Sequence, residues 1–167
     1  MRTSLSGLDI RALLVELSGA ISGSRLSNLY QLGRNKFLLK LRKPGSTLRL
    51  LVELGRRLNL SSEAIRAPER PSPFCMALRK DLRNGLVARA MQYKMDRLVE
   101  LPVSSRGGGF RLIFELFGEG NLVLVGPDGR IKRVLRPREM RDRKLAIGEE
   151  YSYPPVSYTH LTLPTTE

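Results

Sequence analysis

Turn-forming clusters punctuate this chain at short intervals, and they constrain its fold more than any other feature. Gly33-Arg34-Asn35, Lys43-Pro44-Gly45-Ser46 and Gly55-Arg56-Arg57 separate short runs rich in apolar residues. Runs of that kind between Gly, Pro and Asn clusters read as antiparallel strands joined by tight turns. The pattern predicts a meander of strands at Arg25–Gln31, Asn35–Arg42, Thr47–Leu54 and Leu58–Leu60, with a basic outer face. It returns downstream. Ser104–Gly109 is expected as a flexible turn. Phe110–Phe117 and Asn121–Val125 are expected as strands joined by Gly118-Glu119-Gly120, and Pro127-Asp128-Gly129 as the turn into a strand at Arg130–Leu135. Leu86–Leu101 is predicted as one long strand or two pieces of one. A regular strand there would point Asp96 and Arg97 to opposite faces, and a bulge would change that.

Two segments carry helical spacing instead. Ser6 can cap a helix with Asp9 as its reciprocal partner three residues on, and Ile10, Leu13, Leu14, Leu17 and Ile21 then recur on one face. Asp9 is read equally as a cap and as a functional carboxylate. In the second helix Phe74, Cys75, Leu78 and Leu82 form the apolar face, and Asn84-Gly85 stops it. Arg79, Lys80 and Arg83 can face outward together. Cys75 lies on the apolar side without a histidine partner, which fits a buried structural thiol. Together these elements predict an α+β domain, mainly an antiparallel β-sandwich with an N-terminal helix and one mid-chain helix.

Charge narrows the function. The chain holds 29 Lys and Arg against 16 Asp and Glu, a net charge of +13. Such a surplus fits a polyanionic partner, nucleic acid before an anionic membrane, with solubility alone as the plain alternative. The densest run is Arg136–Lys144. Candidate phosphate contacts are therefore Arg79, Lys80, Arg83, Arg138, Arg141, Arg143 and Lys144. A single cysteine rules out an internal disulfide, and the only histidine is His160. No Walker loop, dinucleotide fingerprint or metal-ligand spacing occurs, so neither a cofactor nor a metal is expected. The N-terminal segment lacks an apolar h-region and no window reaches transmembrane length, which points to a cytoplasmic protein.

The last stretch, Val156–Glu167, matches no pattern upstream. In reverse translation VSYTHLTLPT resembles a transposon-end adapter from sequencing libraries read in frame. Residues 156–167 are therefore expected to be non-native, with the domain occupying residues 1–155 of a longer protein. That removes functional weight from His160.

Several segments in order carry a family resemblance: MRTSLSGLDIRAL at the start, NKFLLKLRK with Pro44-Gly45, PFCMALRKDLR, the pair Asp96-Arg97, FELFGEGNL, and MRDRKLAIGEEYSYPP. Over residues 1–155 the chain resembles the NFACT N-terminal domain of the RqcH-type ribosome quality-control factors, also labelled fibronectin-binding proteins. The resemblance implies a fold like the N-terminal domain of the formamidopyrimidine-DNA glycosylases. It implies binding to tRNA and to a large ribosomal subunit that still holds peptidyl-tRNA, in support of mRNA-independent C-terminal tailing of stalled chains. Asp96 and Arg97 match the family's tRNA-linked Asp-Arg pair, and Asp9 matches a further acidic position. The ribosome would form the bond, so no enzyme active site is expected. Two alternatives remain: a glycosylase-like DNA-lesion binder and a fibronectin-binding adhesin. The first lacks the N-terminal proline nucleophile, since residues 2 and 3 are Arg2 and Thr3.

Overall fold

The computed structural model describes residues 5–155. The expectations for residues 156–167, His160 among them, lie outside the described residues. Helix α1 (Gly7–Ile21) opens on the predicted capping box. The Ser6 hydroxyl accepts from the Asp9 amide at 3.1 Å, and the Asp9 carboxylate accepts from the Ser6 amide at 3.0 Å. Two of the orphan donors at the helix start are satisfied this way. Ile10, Leu14, Leu17 and Ile21 are buried, while Leu13 is half-buried.

A meander follows: β1 (Arg25–Gln31), β2 (Lys36–Lys43), β3 (Ser46–Glu53) and β4 (Arg57–Ser61). Its strands agree with the predicted ones to within a residue at most ends. Helix α2 (Pro73–Leu82) starts on Ser72, whose hydroxyl accepts from the Cys75 amide at 3.1 Å, with proline at the head of the helix where its missing N–H costs nothing. It stops where Asn84 turns left-handed at φ 65°. Cys75, Leu78 and Leu82 are fully buried, and burial pushes the Cys75 thiol above its ordinary pKa.

The second half holds β5 (Leu86–Val87), β6 (Met91–Gln92), β7 (Leu98–Ser105), β8 (Gly108–Glu115), β9 (Asn121–Val125) and β10 (Ile131–Val134). A separate hairpin of β11 (Arg138–Glu139) and β12 (Lys144–Leu145) follows. The main sheet runs β10-β9-β8-β7-β5-β1-β2-β3-β4, antiparallel throughout, with β6 also on β7. The two meanders are thus joined through β5, which pairs Arg25 with Leu86 on one side and Leu86 with Ser104 on the other. They meet again at Gly55 and Gly120. A Cβ on Gly120 would stand 2.5 Å from the Gly55 nitrogen, so only glycine lets the backbones approach.

Both meanders and both helices feed one core, including Phe37, Leu39, Val52, Leu101, Leu112 and Phe114. The far face of β8 and β9 carries a second core of Ile113, Val123 and Val125, closed by Leu145 and Tyr151. Every residue of β9 is therefore buried, which explains its unbroken apolar run, Leu122–Val125.

One element departs from expectation. Leu86–Leu101 is not a continuous strand. Val87 pairs with Val103, but Met91 pairs with Glu100, so one extra residue sits on this side of the ladder. The reason is Pro102. Its carbonyl faces this segment and accepts from the Ala88 amide at 2.9 Å, but it has no N–H to give back. The strand ends at Gln92, and residues 93–97 form the turn between β6 and β7. Ser104–Gly109 is also tighter than expected, since β7 and β8 extend to either side of Arg106-Gly107 with Gly108 at φ 121°.

Candidate nucleic-acid interface

Asp96 and Arg97 occupy that turn and not a strand. The turn is closed by the Tyr93 amide on Leu98 O at 3.1 Å and the Asp96 amide on Tyr93 O at 3.0 Å, with Lys94 left-handed at φ 53°. It abuts the first turn of α1. The Gln92 amide group donates 2.8 Å bonds to both Gly7 O and Asp96 O, and a Cβ on Gly7 would fall 2.0 Å from Met95 O. Arg11 reaches the Met95 sulfur at 3.4 Å. The fold therefore brings Asp9, in the first turn of α1, to the same edge as Asp96-Arg97, although 86 residues of sequence lie between Asp9 and Asp96.

Within the pair the environments diverge. Asp96 is 2 % exposed. Arg97 is half-exposed, and its guanidinium forms no ion pair or hydrogen bond with a described residue. Asp9 is half-buried on the rim of a depression of about 430 Å³ shared with Arg57 and Asn59. A guanidinium at such an edge can meet phosphate or stack on a base.

The predicted phosphate contacts separate into distinct groups. Arg79 lies along the sheet: its Nε donates to Leu29 O at 2.7 Å and its guanidinium stacks 5.0 Å from the Tyr30 ring centroid. Lys80 and Arg83 are exposed and share a cleft with Arg25 and Arg106. Arg138 is ion-paired with Glu119, and Lys144 lies 3.7 Å from Glu149. The hydrogen bond and charge of Arg138, with Arg136 and Arg34 nearby, hold the Glu119 carboxyl below its ordinary pKa. Arg141 stays exposed.

Arg143 is a correction. It is 4 % exposed and turned inward, where it meets Glu115 at 2.7 Å and the Ser152 carbonyl at 3.2 Å. The β11–β12 hairpin folds back over the end of β8, so one residue of a basic run becomes an internal counter-ion. It cannot touch phosphate in this arrangement.

Arg143 belongs to a clasp that fastens the segment after β12. The Tyr151 hydroxyl donates to Glu115 at 3.0 Å. Two residues on, Tyr153 hydrogen-bonds Glu100, whose other oxygen takes Arg111 at 2.8 Å. Burial and the Glu100 hydrogen bond push the Tyr153 phenol up to about 12, and burial raises Tyr151 well above its ordinary value. The Tyr153 ring stacks on Tyr93 with centroids 3.9 Å apart. Through Tyr93 the clasp supports the turn that carries Asp96 and Arg97.

Among the described residues no group of His, Cys, Asp and Glu is arranged to hold a metal ion, and no helix is long and apolar enough to cross a membrane. Sequence reasoning did not single out Arg25 and Arg106, which line the cleft with Lys80 and Arg83. Both are isolated in the sequence and meet only through the pairing of β1, β5 and β7.

The family profile for NFACT N-terminal and middle domains matches residues 6–166. The chain belongs to this family. Relatives include the human ribosome quality control complex subunit NEMF, 34 % identical over 153 residues, or 90 % of this chain and 14 % of that protein. Ribosome quality control complex subunit 2 of Saccharomyces cerevisiae is 35 % identical, again over 90 % of this chain and 14 % of that protein. The chain thus spans about a seventh of these NFACT relatives. Among solved structures, the N-terminal domain of fibronectin-binding protein PavA from Streptococcus pneumoniae superposes with a TM-score of 0.82 at 27 % identity, covering 95 % of this chain and 64 % of that one.

Proposed function

We propose that this NFACT chain is the N-terminal part of a longer ribosome quality-control factor, in which it binds tRNA and the large ribosomal subunit. In this reading the factor supports mRNA-independent C-terminal tailing of stalled nascent chains, and the chain supplies recognition while the ribosome supplies the chemistry. The observation that carries the proposal is the 93–97 turn. It is braced by Gln92 against α1 and by Tyr93 against the C-terminal clasp, and it carries the half-exposed Arg97 at the edge shared with Asp9. Arg97 is the contact residue. Asp96, its buried neighbour in the turn, and Asp9, in the adjoining helix turn, are positioning residues.

The test is a tailing reaction reconstituted with the longer factor. Arg97→Ala should abolish tailing and weaken tRNA binding while leaving the melting temperature of the domain within the range of ordinary surface changes. Tailing that persists with Arg97→Ala and Asp96→Ala together sinks the proposal. The likeness to PavA, which is named for fibronectin binding, motivates a second measurement. Saturable binding to fibronectin without salt-dependent binding to RNA would favour the adhesin reading instead.

A further inference from the structure

At the opposite end of β7 from Asp96-Arg97 lies an open cleft of about 780 Å³. Its walls come from three elements: Lys80 and Arg83 in and just after the last turn of α2, Arg25 at the start of β1, and Arg106 in the β7–β8 turn. All four cations are exposed, and none forms an ion pair with a described residue. The one acidic residue in the cleft, Asp81, is half-buried and has Lys132 3.8 Å away, so it does little to offset the four. Ser104 and Ser105 add hydroxyls to the lining.

The walls are held in place. The Ser105 hydroxyl donates to Asp81 O at 2.7 Å and fixes the end of β7 to α2. Arg25 donates to Asn84 O at 3.2 Å, and the Asn84 amide bonds Leu26 O at 2.7 Å. Gly85 lets the chain pass so close to Val103 that a Cβ would sit 2.4 Å from it. Four cations on a fixed frame, with no aromatic ring in the lining, suit an array of phosphates and offer nothing on which a base could stack.

We infer that this cleft is a second RNA site, which grips the phosphodiester backbone without reading its bases. It rests on the proposed RNA-binding role and extends it. From Arg97 to Ser104 the strand rises roughly 23 Å, so a mononucleotide could not span the two sites but a folded RNA could.

The experiment measures binding of the 167-residue chain to a tRNA transcript, to poly(U) and to poly(A) across a salt series. Each phosphate contact contributes about 0.7–0.9 to the slope of log affinity against log salt. The variant Arg25→Ala/Arg83→Ala/Arg106→Ala should therefore lose about 2 to 3 from the slope on tRNA. Its affinities for poly(U) and poly(A) should fall alike. The control Lys36→Ala/Arg66→Ala/Arg70→Ala removes the same charge from exposed positions away from the cleft and should change the slope by less than about 1. Thermal melts check folding, and the single reversal Lys80→Glu repeats the test if the triple variant is unstable. Equal slope losses in variant and control, an unchanged slope in the variant, or a changed ratio of poly(U) to poly(A) affinity would each overturn the inference. So would a loss confined to phosphatidylserine vesicles with RNA binding intact. If the wild-type chain binds no RNA, both this site and the proposed function fall. If tailing persists with Arg97→Ala and Asp96→Ala together while the cleft variant loses slope, only the proposed function falls.

Discussion

Arg143 and Glu115 are the clearest case in this chain of a charge whose job depends on fold. Their side chains are 2 % and 5 % exposed, and each is the other's counter-ion. Removing one partner of such a pair strands the other in a low dielectric, which costs about 3–5 kcal/mol. Arg143→Ala should therefore lower the urea midpoint sharply, whereas Arg141→Ala, two residues away and exposed, should leave it within about 0.5 kcal/mol. Equal midpoints for the two variants would refute the assignment of Arg143 to the clasp. Nothing in the run Arg136–Lys144 marks Arg143 as the buried member, because its partners Glu115 and Tyr151 are supplied by β8 and by the chain after β12. Cys75 was legible for the opposite reason: its neighbours Leu78 and Leu82 lie on its own helix face. Arg97 and Asp96 separate by the same logic. Asp96→Ala removes a buried carboxylate and should cost stability on the order of 1–3 kcal/mol as well as function, while Arg97→Ala should cost function alone. Parallel melts and tRNA titrations distinguish the two.

At the scale of elements, most of the fold could be read from local chemistry. Strands β1, β2, β3 and β9 were legible because alternation or an apolar run was bounded by turn residues, and α1 because its capping box and apolar face agreed. The segment Leu86–Leu101 was misread because alternation says which face a residue takes but not whether its ladder has donors. Pro102, on the partner strand, withholds one, and the break places Asp96-Arg97 in a turn. Two glycines in α1 give opposite forecasts for the same substitution. A Cβ on Gly19 meets nothing within 4 Å, so Gly19→Ala should raise stability by roughly 0.5–1 kcal/mol through helix propensity. A Cβ on Gly7 would strike Met95 O at 2.0 Å, so Gly7→Ala should instead lose about 1–3 kcal/mol by forcing α1 away from the 93–97 turn. It should also weaken tRNA binding, since the helix and the turn are the two halves of that edge. Gly19→Ala and Gly7→Ala shifting the melting temperature in the same direction would contradict this packing.

Across the whole molecule, the two meanders share one core, but the second core is closed only when the segment at Tyr151–Tyr153 is seated. That closure depends on protons. The Tyr153 phenol stands at about 12 in the folded chain, held up by burial and by its bond to Glu100, and Tyr151 is raised in the same sense. An unfolded tyrosine titrates near 10. Between those values the folded state keeps a proton that the unfolded state releases, so stability falls as pH rises. The contribution is complete below about pH 10 and is lost on rising through about pH 12. Urea unfolding followed across that window should show a falling midpoint together with the phenolate absorbance of the buried tyrosines. The comparison that isolates this phenol is Tyr153→Phe. It should be less stable than wild type at neutral pH, because Glu100 loses a donor, and its midpoint should fall less steeply between pH 10 and 12. The same variant bears on RNA binding. Tyr153 stacks on Tyr93, which begins the turn carrying Arg97, so loosening the clasp at high pH should weaken tRNA binding in the wild type before global unfolding begins. Unfolding curves for wild type and Tyr153→Phe that fall in parallel with pH would show that the clasp titrates no differently from the rest of the chain.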